Sequence, residues 1–333
     1  MLSAHQKCLR CRNDGRSRPG WVLLLVAIVA ATPIASPSSP KDATGQSAKE
    51  VSVAVGDLRA TFVDNSALGE EHRAGYNGIA RLTHAQQDQN VFVPTYAGFN
   101  LEHVFGGDRL EEVFEPRRHP MTLRRLSTAT VVLHQNPTPL SSVESTTRFT
   151  VVPPHYIDAE FRCQVRDAKF FRHGYVGLLW ASYINAPDDR RMHFRGRGQA
   201  DDVPLWISAS SPEHGVASTH LSLSDPGGIF FAPDFNATLA SHFSDYRFTE
   251  PLFYGRFRNM VLIYMFERSE GIRFSQSPNG GGEKNPAWDF QLILRDFQVN
   301  KPYSYRARLV YKPFVSPDDV LDELRRWRRS PQP

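Results

Sequence analysis

Cysteine is scarce in this chain and unevenly placed. Of three cysteines in 333 residues, Cys8 and Cys11 lie in a basic N-terminal segment, and only Cys163 lies beyond it. No second C-x-x-C pair and no histidine pair at finger spacing accompanies Cys8 and Cys11, so they do not predict a zinc site. With Cys163 alone in the body of the chain, no intrachain disulfide can form there. The hydrophobic core must therefore stabilise the fold.

A long hydrophobic run is also missing. The N-terminal apolar stretch covers residues 21–31, or 21–35 at most, whereas a membrane-spanning helix needs roughly 20 apolar residues. Pro33 discourages a longer helix. Because basic residues precede the stretch, the pattern is typical of a secretory signal. We predict that residues 1–35 are a signal peptide of a secreted or periplasmic protein; an uncleaved signal anchor at residues 21–35 is the alternative.

Beyond its first twenty residues the chain has no net charge. Those twenty residues hold five lysines and arginines against one aspartate, and the resulting +4 equals the net charge of the whole chain. A nucleic-acid-binding surface needs concentrated basic residues, so the neutral body argues against a nucleic-acid partner. A membrane is expected as a partner only through the N-terminal signal or anchor.

The known catalytic fingerprints are absent as well. The sequence contains no G-x-S-x-G, no P-loop, no H-E-x-x-H and no dinucleotide fingerprint. Its scattered histidines, such as His134, His214, His220 and His242, do not pair at metal-ligand spacing. The sequence therefore predicts neither a metal site nor a cofactor, and function must be inferred from polar clusters.

β-Strand patterns dominate what is present. Residues 36–50 are rich in serine and proline and predict a disordered tether. Residues 157–165 alternate apolar and polar, while residues 176–180 and 260–266 are continuous apolar runs that predict strands buried on both faces. Roughly 16–20 candidate strands follow one another with turn signals between them. We predict one all-β domain over residues 51–315, a large antiparallel β-sandwich (supersandwich).

A short C-terminal helix is predicted over residues 316–333. Ser316 can cap its N-terminus, Pro317 suits the first turn, and arginines follow at the C-terminal end. The basic end fits a capped surface helix, with a membrane-surface contact as the alternative.

The first polar cluster is Glu-Glu-His-Arg-Ala-Gly-Tyr-Asn-Gly at residues 70–78. Tyr76 and Asn77 can hydrogen-bond sugar hydroxyls, and His72 or Arg73 can meet a carboxylate. The cluster lies between predicted strands, where binding residues concentrate. The alternative is an ordered polar turn that uses its glycines for geometry.

Two histidines have neighbours suited to acid–base chemistry. Glu102 precedes His103, and a histidine beside a carboxylate can act as general acid or base. Two prolines precede His155 and Tyr156 and present them rigidly at the entrance of a strand. Alternatively, Glu102 and His103 are the end of a strand with one polar face. His155 and Tyr156 would then form a structural corner of the chain without a role in binding.

Aromatic and amide side chains follow two buried strands. Trp180, Tyr183 and Asn185 leave one apolar run, and a glycine-rich loop delivers Trp288 and Asp289 to another. Aromatic rings stack on sugar faces, and asparagine both donates and accepts. Core packing and turn formation are the alternatives.

Basic residues alternate along residues 190–197, which include four arginines and one histidine. Their period of two can place several cations on one side of a strand, where an anionic glycan could bind. A solvated edge strand explains the same pattern.

Two segments carry a family resemblance. STTRFTVVPPHYIDAEF at residues 145–161 and GLLWASYIN at residues 177–185 resemble strands of galactose mutarotase-like β-supersandwich proteins, and the likeness covers residues 51–315. The chain also resembles exported proteins of environmental bacteria. The family resemblance implies carbohydrate handling, by epimerisation, by polysaccharide lysis or hydrolysis, or by binding alone. In such epimerases a histidine protonates the ring oxygen and a carboxylate takes the anomeric proton. The sequence context of that pair is missing here, so neither role transfers to a particular residue.

The leading hypothesis is an exported carbohydrate-binding or carbohydrate-active protein with a cleft on a concave sheet. In a catalytic version, His155 or His103 is the acid, and Glu102, Glu144 or Asp289 is the base. His155→Ala is expected to abolish turnover or weaken glycan binding without unfolding the protein. The expected sugar-binding side chains are His72, Arg73, Tyr76, Asn77, Trp180, Tyr183, Asn185 and Trp288.

Two other functions stay open. In a uronate-polysaccharide lyase, Arg73 or Arg191 with Asn77 would neutralise the substrate carboxylate, and Tyr76 or His72 would take the proton. A lyase releases unsaturated products that absorb in the ultraviolet. The second alternative is a non-catalytic surface or structural β-sandwich protein. A sugar site requires that four candidates converge in one pocket: His72, His103, His155 and Tyr183.

Overall fold

β-Strands form most of the described chain. The computed structural model of the protein describes residues 47–66, 75–108, 113–198, 203–231 and 238–330. The strands are β1 (Ser47–Ala48), β2 (Glu50–Val55), β3 (Leu58–Val63), β4 (Gly78–His84), β5 (Asn100–Phe105), β6 (Met121–Arg125), β7 (Thr130–Gln135), β8 (Val143–Val152), β9 (Tyr156–Val165), β10 (Tyr175–Ala181), β11 (Asp189–Arg197), β12 (Leu205–Ala209), β13 (Thr219–Ser222), β14 (Phe243–Phe257), β15 (Met260–Phe266), β16 (Ile272–Ser277), β17 (Ala287–Arg295) and β18 (Pro302–Pro313). The helices are α1 (Glu115–Arg118), α2 (Thr238–Ser241) and α3 (Pro317–Arg329).

The strands pair into two sheets. The larger has the order β1-β6-β7-β8-β9-β18-β15-β14-β13-β16-β17-β10-β5, and β2-β3-β4 form the smaller. β13 and β14 run parallel, whereas the other described pairs of strands are antiparallel. β11 pairs with both β12 and β14, so the edge strand expected over residues 190–197 is wrong: these residues lie inside the sheet.

The all-β class, the antiparallel sandwich and the C-terminal helix are confirmed. β9 alternates buried and more exposed residues along its whole length, as its period of two predicts. β10 and β15 are buried at every residue, as their continuous apolar runs predict. The tether expected over residues 36–50 is described only from Ser47, where β1 begins. Its last residues therefore belong to strands, while the predicted signal segment lies outside the described residues.

The two sides of β10 separate the main core from a second, more polar layer. Val176, Leu178 and Trp180 belong to the main hydrophobic core, whereas Leu179 and Ala181 pack in a separate buried cluster on the other side. We call this second side of β13, β16, β17, β10 and β5 the polar face, because many of the strand residues that alternate with the core residues are polar there.

Helix α3 packs against the outside of β14, β15 and β18. Ser316 caps its N-terminus by accepting a hydrogen bond from the Asp319 backbone N–H at 3.2 Å, as predicted. Val320, Leu324 and Trp327 are buried in the contact. Within the described residues, no helix has the length and apolar character needed to cross a membrane.

Candidate functional site

Glu102 sits at an irregularity on the polar face, where β5 pairs with β10. Leu179 lies opposite His103 and Trp180 opposite Leu101, so Glu102 has no partner residue on β10. Bulges of this kind re-aim a side chain and are frequent beside functional sites. Glu102 is buried at this bulge.

Four side chains hold the Glu102 carboxylate in place. Its Oε2 atom accepts hydrogen bonds from the Tyr183 hydroxyl at 2.7 Å and from Asn100 Nδ2 at 2.8 Å. Its Oε1 atom lies 3.5 Å from Arg117 Nη1 and 3.5 Å from His103 Nε2. The carboxylate is therefore positioned by its neighbours rather than by solvent.

Asp289 supplies a second buried carboxyl group on the same face. Its neighbours along β17, Trp288 and Phe290, point into the main core, so Asp289 points to the polar face. Its Oδ1 atom accepts a hydrogen bond from the Ser182 backbone N–H at 2.9 Å. Its Oδ2 atom is buried and has no hydrogen-bond partner among the described residues. An unsatisfied buried polar atom costs about 1–3 kcal/mol, so it requires an explanation.

The pKa of Asp289 is raised well above its usual range. Burial is the largest cause, and the negative charge of Glu102 adds to it, while the Ser182 backbone N–H opposes it. Burial therefore favours the protonated form of Asp289, and because Oδ1 accepts from Ser182, Oδ2 is the oxygen left to carry the proton. The raised pKa suits a proton donor better than the role of base considered for Asp289. An acid beside a second carboxyl group is an arrangement that acid–base catalysis uses.

Three tyrosine rings pack beside the two carboxyl groups. The ring centroids of Tyr76, Tyr96 and Tyr183 lie 4.7–5.3 Å apart, and the Arg117 guanidinium lies 4.0 Å from the Tyr76 ring. Burial, followed by the negative charge of Glu102, raises the pKa of Tyr76 and of Tyr183. Both phenols therefore stay neutral and act as hydrogen-bonding groups rather than as bases.

Asn77 contacts this site indirectly, through Asn100. Its backbone N–H and its Nδ2 atom donate to Asn100 Oδ1, at 3.1 and 2.9 Å, and its Oδ1 accepts from the Leu101 backbone N–H. Asn100 in turn donates to Glu102. Asn77 is fully buried and positions the Asn100–Glu102 contact, instead of offering a free amide to a ligand.

Two histidines lie at the more accessible side of the site. His103 keeps some solvent contact and packs its ring 4.4 Å from that of Phe114. His214 is exposed, and its Nδ1 atom lies 2.9 Å from Ser277 Oγ. Partial burial lowers the pKa of His214, whereas the charge of Glu102 opposes that shift.

We call this group the carboxylate cluster. Its members are Glu102, Asp289, Tyr76, Tyr96, Tyr183, Arg117, His103 and His214. Of the four residues whose convergence the sequence hypothesis required, His103 and Tyr183 meet at Glu102. His72 lies outside the described residues, as does Arg73, and His155 lies elsewhere.

His155 belongs to a separate network around Glu323. Its Nδ1 atom lies 3.9 Å from Asp57 Oδ2, and its Nε2 atom lies 3.8 Å from Glu323 Oε1. Glu323 also pairs with Lys312 and with Arg326 at 2.8 Å. The Glu323 network thus joins the β2–β3 turn and β18 to helix α3.

Asp57, His84 and His155 place three potential ligand atoms within 4.8 Å of one another. However, His84 Nδ1 accepts a hydrogen bond from the Gln86 backbone N–H at 3.0 Å. Burial lowers the pKa of His84, which favours the neutral ring, and the Gln86 contact at Nδ1 then leaves the proton to Nε2, 3.6 Å from Asp57 Oδ2. A metal ligand needs a lone pair on that nitrogen. With Nδ1 engaged by Gln86 and the proton on Nε2, His84 does not offer a free lone pair to a metal ion.

Both tryptophans considered for sugar stacking are core residues. Trp180 stacks on Phe290, with ring centroids 5.0 Å apart and planes 7° apart. Trp288 is fully buried, donates its indole N–H to the Arg190 carbonyl, and leaves no room for a side chain at Gly255. Neither ring faces the carboxylate cluster, because both point to the other side of the sheet.

Two polar candidates also make contacts elsewhere. Asn185 Nδ2 donates to the Asn90 carbonyl at 3.2 Å. Glu144 Oε2 accepts hydrogen bonds from Arg166 Nη2 and Nε, at 2.6 and 2.9 Å, on the solvent side of β8. These contacts place both residues outside the carboxylate cluster.

Several members of the site had no signal in the sequence. Arg117 comes from the short helix α1, whereas Tyr96, Ser182 and His214 come from connections far apart in the chain, and none lies in a recognisable motif. Asn100 lies two residues before Glu102 on β5, so its contact with Glu102 could have been inferred once the strand was assigned.

Comparison with known proteins gives structural matches only. No protein-family model matches the chain, and no curated protein matches it. The chain is similar to a GalM/aldose epimerase homologue from C. elegans, with 10% identity, a TM-score of 0.47, and 81% of this chain and 100% of that one covered. It is similar to an Escherichia coli K12 protein assigned as an aldose 1-epimerase, with 8% identity, a TM-score of 0.44, and 80% and 99% covered.

A third match is an α-N-acetylgalactosaminidase from Bifidobacterium bifidum, with 11% identity, a TM-score of 0.45, and 83% of this chain and 38% of that one covered. At this identity and TM-score, the likenesses carry no conclusion about activity, substrate or partners.

Proposed function

We propose that the protein binds a sugar or glycan at the carboxylate cluster. The observation that carries the proposal is the Asp289 carboxyl group: it is fully buried, it has a raised pKa, and only one of its oxygens has a hydrogen-bond partner among the described residues. A sugar hydroxyl or ring oxygen is an acceptor that fits the spare Oδ2–H donor. Such a contact would remove the energetic cost of the unsatisfied group.

The remaining side chains of the cluster suit the same ligand. Glu102 and Arg117 supply acceptors and donors, and the three tyrosines combine apolar rings with hydroxyl groups. Sugars present the same combination of apolar ring faces and hydroxyls. His103 and His214 lie at the side from which a ligand would enter.

The chemistry of the cluster also fits proton transfer to and from a bound sugar. Asp289 would donate its proton, Glu102 would accept one, and Tyr183 would hold Glu102 in place. His103 is the alternative acid. A protein that binds without turnover would use the same contacts, so measured turnover separates the two forms of the proposal.

No observation favours the uronate lyase over sugar binding at this site. Asn77 is occupied by backbone and Asn100 contacts. Arg191 forms a bidentate pair with Asp189 on β11. Tyr76, with its raised pKa, is a poor base.

The test is binding and turnover across a panel of monosaccharides and glycans, measured by calorimetry and by NMR of the anomeric protons. Saturable binding is expected for the unmodified protein, with at least a tenfold loss in Asp289→Asn and in Glu102→Gln. Asp322→Asn, an exposed change on α3, is the matched control. Unchanged affinity in both cluster variants, or no binding to any sugar, would contradict the proposal.

We further propose that residues 1–35 direct export. The basic head followed by a short apolar stretch supports this. Cell fractionation and N-terminal sequencing of the mature chain test it. A secreted or periplasmic chain beginning after the apolar stretch indicates a cleaved signal, a membrane-bound chain that keeps the stretch indicates an anchor, and a cytoplasmic chain contradicts export.

A further inference from the structure

A cavity of about 640 Å³ opens beside β13 and β14. Its lining includes Arg197, Arg247, Phe243, Leu221, Leu223 and Gly228. Small-molecule sites commonly measure about 300–1,000 Å³ and combine apolar walls with a few polar groups. The cavity has the size and the mixed lining of such a site, and it is distinct from the carboxylate cluster.

Three arginines follow one row across the sheet at this cavity. Arg197 pairs with Arg247, Arg247 pairs with Leu221, and Leu221 pairs with Arg273. The row therefore places cationic side chains of β11, β14 and β16 on one line across the sheet, with Leu221 of β13 between Arg247 and Arg273.

This row lies on the polar face. Phe248 and Phe274, the neighbours of Arg247 and Arg273 along their strands, are in the main core. Successive strand residues point to opposite sides, so both arginines point to the side that also holds Asp289. From β17 to β14 there are three interstrand steps, which correspond to about 14 Å.

Arg247 and Arg273 differ in how their charge is balanced. Arg273 is fully buried and forms a bidentate pair with Asp225, at 2.7 and 3.2 Å. Arg247 donates to two carbonyl groups, those of Ser222 and Asp225, at 2.9 and 2.8 Å. Within the described part of the chain, Arg247 has no carboxylate within 4 Å. Arg247 is a partly buried cation that lines the cavity, and Asp245, the one acidic residue of the lining that the structure describes, is exposed and does not pair with it.

We propose that this cavity is a subsite for an acidic sugar unit of an oligosaccharide, one that carries a carboxylate or sulfate group. Arg247 would bind the anionic group, and Phe243, a cavity-lining ring that is 39% exposed, would pack against the apolar side of the sugar ring. Another unit of the same oligosaccharide would reach Asp289 across the polar face. The inference rests on the proposed function and narrows its ligand to acidic glycans.

The test compares a glucuronate-containing tetrasaccharide with its carboxyl-reduced, neutral form by titration calorimetry. The acidic form is expected to bind at least tenfold more tightly, and added salt is expected to reduce the difference. Arg247→Gln is expected to abolish this preference. Leu223→Trp fills the cavity without removing a contact of Arg247. This variant is expected to bind the acidic form at least tenfold more weakly. Leu205→Trp, another exposed leucine outside the lining, is the control for Leu223→Trp.

The outcomes separate this inference from the proposed function. Equal affinity for the acidic and neutral forms, or a preference that survives both cavity variants, would overturn the subsite. Inorganic sulfate that binds as tightly as the tetrasaccharide would make the cavity a simple anion site and would also overturn it. If Asp289→Asn no longer binds the neutral tetrasaccharide, that result bears on the proposed function alone.

Discussion

Two buried acids in this protein differ in how completely they are satisfied. Glu323 receives the Tyr156 hydroxyl at 3.0 Å and is contacted by Lys312, Arg326 and His155. Burial alone would raise the pKa of Glu323, but these donors outweigh it and hold the pKa well below its usual range. Asp289 receives one backbone N–H, and its pKa is raised.

This difference separates an acid that stabilises the fold from one that is free to act. Every strong contact of Glu323 is made within the protein, so the residue anchors α3 and has no bonding capacity left for a ligand. Asp289 keeps an unused donor on a polar face. Burial and neighbouring charge alone would not distinguish the two, because both residues have them.

The largest expected effect is on the Glu323 network. Glu323→Gln would leave Lys312 as a buried cation with a weakened set of partners, and removing one member of a buried ion pair costs about 3–5 kcal/mol. Denaturant unfolding measures the change. Asp322→Asn, which removes an exposed pair with Arg325 on the same helix, is expected to cost less than about 1 kcal/mol. Equal effects of the two substitutions would show that the Glu323 network is not structural.

Asp289→Asn is expected to change stability in the opposite direction. Burial raises the pKa of Asp289 in the folded protein above its value in the unfolded chain. Each unit of this difference lowers the free energy of unfolding at neutral pH by up to about 1.4 kcal/mol. The isosteric amide escapes that cost, so the variant should be more stable at pH 7 by about 1 kcal/mol or more, although its sugar binding is lost. A destabilised variant would indicate that Asp289 serves the fold as Glu323 does.

The pH dependence of stability should carry opposite signs in the two regions. The depressed pKa of Glu323 gives stability that is present above its unfolded value of 4.5 and is lost as the pH falls. The raised pKa of Asp289 makes stability fall as the pH rises above its unfolded value of 3.8. The free energy of unfolding of each variant should be measured from pH 3 to pH 8. We expect Glu323→Gln to reduce its pH dependence at acidic pH and Asp289→Asn to reduce its pH dependence towards neutral pH. The reverse assignment would contradict the comparison.

The smallest expected effect is at the start of α3. Ser316→Ala removes the cap on the Asp319 backbone N–H and should cost about 1 kcal/mol. A smaller loss than that of Glu323→Gln would confirm that the buried network, rather than the cap, holds the helix in place. Asp322→Asn, the exposed change on the same helix, is the control.

Local features of the fold could be predicted because they depend on residues close in sequence. The alternation in residues 157–165 and the Ser316 cap each need only a few neighbours along the chain. Side-chain direction across the sheet is less accessible. Trp288 and Asp289 are adjacent in sequence, yet one is in the main core and the other is in the carboxylate cluster.

The candidate site could be predicted in part. Glu102, His103, Tyr183 and Asp289 were candidates on residue type, but their convergence depends on the order β5-β10-β17 in the sheet, which no local pattern determines. His155 was a candidate because two prolines fix its backbone. The partners that occupy it, Asp57 and Glu323, come from distant segments, so its structural role could not be predicted from the sequence.

The protonation state of Asp289 tests the central claim most directly. Carboxyl ¹³C NMR of the folded protein, with the Asp289 signal assigned by its absence in Asp289→Asn, follows this group through a pH titration. A signal that stays at the protonated chemical shift through pH 7, and that moves when a bound sugar takes up the Oδ2–H donor, is the predicted result. A signal that titrates near the ordinary aspartate pKa of about 3.9 would contradict the account.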